Sequence, residues 1–65
     1  MTPPKQIRLQ SGLPQHVAAT LAGVSPNTWK LFESNPDAVS AKVLGGCLLA
    51  VEKMRQIAAE KGRAA

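Results

Sequence analysis

The hydrophobic and polar positions divide the chain into four stretches of helical period, separated by glycine and proline punctuation. Met1–Pro4 reads as a short extended lead-in. Lys5 to Ser11 carries Ile7 and Leu9 among polar neighbours and stops at Gly12, which predicts a short first helix. Pro14 suits a helix start, where its missing N–H has no intrahelical acceptor anyway. From there Gln15 to Ala22 places Val17, Ala18, Leu21 and Ala22 on one face of a second helix. Gly23 ends it with the positive φ that an abrupt reversal requires. Ser25-Pro26 is a strong start signal, because a serine hydroxyl caps free backbone N–H groups and proline fits the first helical position. A third helix over Pro26–Glu33 follows, with Trp29 and Phe32 at i and i+3, and Ser34-Asn35-Pro36-Asp37 breaks it. Ser40 caps a last helix from Ala41 to about Lys61. In it Val43, Leu44, Cys47, Leu48, Val51, Met54, Ile57 and Ala58 keep helical spacing, and Gly62 is expected to stop it. No segment has strand period. The expected fold class is all-α: one compact four-helix domain over residues 1–65, with a long C-terminal helix.

Gln15 to Ser34 has the features of a helix-turn-helix. Two helices must cross steeply through a three- or four-residue turn, often containing glycine, and Gly23-Val24-Ser25 supplies that turn. Close crossing needs small residues on the first of the two helices, and Ala18-Ala19 provides them. Val24 is expected to plug the angle while Leu21, Trp29 and Phe32 fill the shared core.

Composition adds a partner class. Eight Lys+Arg against four Asp+Glu give a net charge of +4, which favours a polyanion, nucleic acid before an anionic membrane. At 65 residues the chain buries only about 60% of its unfolded surface, so self-association is expected on stability grounds alone. One cysteine, Cys47, cannot form an internal disulfide, and no Cys/His set has zinc spacing, so no metal or cofactor is expected. One His, one Cys and four carboxylates offer no nucleophile–base pair and no small-molecule site, which argues against an enzyme. No apolar run reaches signal-peptide or membrane-span length, so a cytoplasmic, nucleoid-associated protein is expected.

The run from Ile7 to Glu33, IRLQSGLPQHVAATLAGVSPNTWKLFE, resembles the lambda-type Cro and repressor helix-turn-helix family. The shared shape is an arginine in the first helix, a glutamine opening the second, a small-residue helix, the Gly-Val-Ser turn and a glutamate ending the third. The resemblance implies that Arg8 pairs with Glu33. The residues agree, since a glutamate beside Phe32 near the core needs a cation. It also implies that Gln15 meets the DNA backbone, where helix N-termini favour anions. Trp29 stands where that family has Ile or Val, Pro14 replaces its Ser/Thr cap, and the long last helix replaces several short ones. The tryptophan, Glu33-Ser34 and the last helix are similar to compact regulators of phage and mobile elements, including anti-CRISPR-associated repressors.

In such a motif the third helix lies in the major groove of double-stranded DNA with its N-terminal residues at base edges. The outward base-contact candidates are Ser25, Pro26, Asn27, Lys30 and Leu31. Asn27 can bond adenine N6/N7 in a bidentate manner, Lys30 can reach guanine O6/N7, and Pro26 and Leu31 can touch thymine methyls. Backbone candidates are Gln15, Thr28, Ser34, Lys5 and Lys42. Gly45-Gly46 inside a helix costs about 1 kcal/mol per glycine against alanine, so a close approach by another helix is expected there. That approach can be onto the helix-turn-helix or across a dimer axis; because the apolar residues of this helix span more than one face, Gly45, Gly46, Leu48 and Leu49 are favoured as a homodimer interface. A two-fold dimer would set two recognition helices about 34 Å apart, matching a palindromic operator, with repression as the default outcome. The alternative is a helix-turn-helix module that binds protein, or RNA, rather than a DNA sequence.

Overall fold

The computed structural model describes residues 3–64, so Met1 and Thr2 of the lead-in lie outside the described residues. The chain is all-α, with helices α1 (Pro4–Ser11), α2 (Gln15–Ala22), α3 (Pro26–Ser34) and α4 (Ala41–Ala64), and a 3-10 turn over Pro36–Ala38. Each boundary has a local cause. Pro4 opens α1 after an extended Pro3, and Gly12 closes it at φ 79°, its N–H donating to the Arg8 and Leu9 carbonyls. Gly23 closes α2 in the same way at φ 73°. Ser25 caps α3, its hydroxyl accepting from the Thr28 N–H at 3.2 Å. Ser40 caps α4 through the Val43 N–H at 3.3 Å. Gly62 does not take the left-handed conformation of Gly12 and Gly23, and α4 runs past it to Ala64.

α4 supports α1 and α2 and touches α3, and α3 packs chiefly on α2, so α2 has both α3 and α4 as neighbours. Its buried residues are Ala18, Ala19 and Ala22, small enough to admit both neighbours. Trp29 and Phe32 point inward from α3 with ring centroids 5.1 Å apart and are fully buried, joined by Ile7, Cys47, Ala50, Val51 and Met54. Leu21 was expected in this core but is 36% exposed. It sits at the edge of the arc that Ala18, Ala19 and Ala22 bury.

The two central glycines of α4 have different surroundings. A Cβ built on Gly46 would stand 2.5 Å from the Ala22 carbonyl oxygen, whereas one on Gly45 would meet nothing within 4 Å. Gly46 is thus taken up inside the protomer, letting α4 pass the C-terminal end of α2. It does not lie on the outward face with Gly45, Leu48 and Leu49, all three of which are exposed.

Candidate nucleic-acid interface

Three helices meet at Glu33, near the end of α3. Its carboxylate accepts Arg8 Nε from α1 at 2.6 Å, Gln15 Nε2 from α2 at 3.1 Å and Trp29 Nε1 from α3 itself at 2.7 Å. The Arg8 and Glu33 side chains are only 9% and 5% exposed. Arg8 also donates through Nη1 to the Leu13 carbonyl at 3.2 Å, tying the α1–α2 connection to the same hub. Burial pushes the Glu33 carboxyl up, but the donors from Arg8, Gln15 and Trp29 and the arginine charge outweigh it and hold it below the ordinary glutamate value. Glu33 is therefore ionised and internally neutralised at neutral pH.

Over this hub opens a solvent-facing cleft of about 300 Å³ lined by Lys5, Gln15, Lys30, Glu33 and Ser34. Four of the expected backbone and base contacts thus come together on one surface: Lys5 from α1, Gln15 from α2, and Lys30 and Ser34 from α3. Arg8 satisfies Glu33, and neither Lys5 nor Lys30 forms an ion pair with any described residue, so the rim is cationic. The start of α2 adds to it. Pro14 gives no side-chain cap, so among the described residues no side chain caps the first N–H groups of the helix, an arrangement that suits an anion.

The N-terminal end of α3 lies on the same element. Ser25, Pro26 and Asn27 are exposed and Thr28 is half-buried. The Ser25 and Thr28 hydroxyls lie 2.9 Å apart and share the capping arrangement, whereas Asn27 has no partner among the described residues. Leu31 is 41% exposed on the outward side of α3. Lys42 is exposed in the first turn of α4 and does not line the cleft.

Two features of this site were not anticipated: the Gln15–Glu33 bond and the Trp29–Glu33 bond. The second had a signal, because Trp29 and Glu33 stand at i and i+4 on one helix face and a buried indole N–H needs an acceptor. Gln15 gave no comparable sign, being eighteen positions from Glu33 in the chain. Comparison with known proteins gave no matching family model, no matching curated protein and no matching solved structure.

Proposed function

We propose that this chain is a sequence-specific DNA-binding regulator that reads the major groove with α3, acting by default as a repressor. The observation that carries the reading is the convergence of Lys5, Gln15, Lys30 and Ser34 in one cationic cleft beside an α3 whose first turn is exposed. In this reading Lys5, the N-terminal N–H groups of α2 and the second N–H of the Gln15 amide hold phosphate, while Glu33 fixes the amide by its first N–H. Asn27 and Lys30 address base edges, and Ser25, Pro26 and Leu31 make the remaining groove contacts. Thr28 and Ser34 face the backbone, whereas Lys42, outside the cleft, takes no part in this reading.

A protein-binding module is the second reading, favoured by one observation: Leu31, an apolar residue, is exposed in the middle of the presented helix. A salt series separates the two. Anisotropy titrations on a labelled random-sequence duplex should show log K falling linearly with log salt, and Lys5→Ala should lower the slope by about 1. No binding at about 50 mM salt, or binding indifferent to salt, would refute the DNA reading.

A further inference from the structure

The geometry points to an antiparallel, two-fold pairing of α4 with a second copy of this chain, in a single register centred on residue 47. This goes beyond the DNA reading and does not depend on it. α4 buries Cys47, Ala50, Val51 and Met54 toward α1 and α2. The opposite side carries Lys42, Gly45, Leu49, Glu52 and Gln56, all exposed and spaced alternately by three and four residues. That spacing keeps the five residues on one stripe, a seam along the helix, with Leu49 as its large apolar member and a cation and a carboxylate on either side of it. Leu49 is 67% exposed and Leu48, beside the seam, is 54% exposed.

The occupant follows from the self-complementarity of the seam. With two copies antiparallel about residue 47, residue i faces residue 94 − i of the partner. Leu49 then meets the partner's Gly45, the one seam position with open space above its Cα, and the reverse contact repeats across the axis. Lys42 meets the partner's Glu52, also twice. Leu48 flanks the axis and approaches its own copy. A parallel pairing would instead set Leu49 on Leu49, Lys42 on Lys42 and Glu52 on Glu52, with the like charges facing.

The position of Lys42 supports this choice independently. It is a cation in the first turn of α4, where the helix dipole disfavours positive charge and where no acidic residue is present. The partner's Glu52 would bring a carboxylate to that end of the helix, answering both the lysine and the dipole. Among the described residues Glu52 has only an exposed contact with Arg55 at 3.5 Å, which leaves it free to turn.

The seam from Lys42 to Glu52 is about 15 Å long, so the interface falls at the small end of specific contacts, below about 1,200 Å² in total. A reversible, concentration-dependent dimer is expected rather than a permanent one. Sedimentation equilibrium of the full chain at low salt without DNA, taken up to about 1 mM, reads it directly. Leu49→Asp should leave only monomer, with helicity by circular dichroism unchanged. Lys42→Glu or Glu52→Lys alone should weaken association by about tenfold, because two symmetry-related attractions become repulsions. The double variant Lys42→Glu/Glu52→Lys should return to the parental constant. A chain that stays monomeric throughout overturns the proposal, and so does a double variant no better than the singles. Since no DNA is present, either result leaves the DNA reading to its own test.

Discussion

Replacing Glu33 by alanine removes the acceptor for donors from all three helices of the N-terminal half. The magnitude follows from burial. Arg8 keeps only 9% of its side-chain surface in water, so its guanidinium cannot be rehydrated without opening the α1–α3 contact. An uncompensated buried cation costs about 3–5 kcal/mol, and the Trp29 indole N–H loses its partner as well. A domain of 65 residues holds roughly 3–10 kcal/mol in all, so Glu33→Ala should lose much of its stability or unfold. Removing both charges should cost far less. In Arg8→Met/Glu33→Leu no ion is stranded, and the coupling between the two positions should approach about 3 kcal/mol. Urea unfolding followed by far-UV circular dichroism measures both. Trp29 fluorescence offers a second probe, since its side chain is wholly buried in the native state. A Glu33→Ala variant within about 0.5 kcal/mol of the parent would show that the hub is not a buried ion pair of this strength, and so would a double variant as unstable as the summed singles.

The same hub sets an acid limit. The Glu33 carboxyl is held below the ordinary glutamate range in the folded chain, so its contribution is complete above that range and is lost as pH falls through the lowered value. Urea midpoints should therefore drop from about pH 4.5 downward, and Glu33→Gln should flatten that decline. Gly46→Ala should destabilise by about 1–3 kcal/mol despite better helix propensity, because the Ala22 backbone must move. Gly45→Ala, with open space around it, should stabilise the monomer by about 0.5–1 kcal/mol, and thermal melts of dilute protein compare the two. On the proposed DNA face, Asn27→Ala should cost about 1–3 kcal/mol on a specific site and little on random duplex, whereas Lys5→Ala should weaken both alike. Paired titrations on the two duplexes report the difference.

The order and ends of the helices were legible because they rest on local chemistry. Gly12 and Gly23 close helices by backbone freedom, and Ser25 and Ser40 open them by capping, so each signal sits within four residues of its effect. Gly62 misled because the same residue type can remain helical when nothing imposes a reversal. Leu21 misled because its position on the wheel is marginal, and burial there depends on how far α3 and α4 reach around α2. The glycine pair shows the same boundary more sharply. The residues implied a close approach at Gly45-Gly46, but only tertiary placement shows that Ala22 answers Gly46 and leaves Gly45 open. At the site, the outward exposure of Asn27 and Lys30 followed from the inward Trp29 and Phe32 on a helix of known phase. That Gln15 would bond Glu33, and that Lys5 would share its cleft with Lys30, required α1, α2 and α3 to be assembled.

The proposed DNA reading stands on the exposed first turn of α3 contacting bases. Selection of bound sequences from a random duplex library, run in parallel with the parent chain and Asn27→Ala, tests it most directly. An enriched site is expected for the parent, with adenine preferred at one position and that preference lost in the variant while the rest of the site persists. No enrichment with the parent chain, or the same site recovered unchanged with Asn27→Ala, would contradict it.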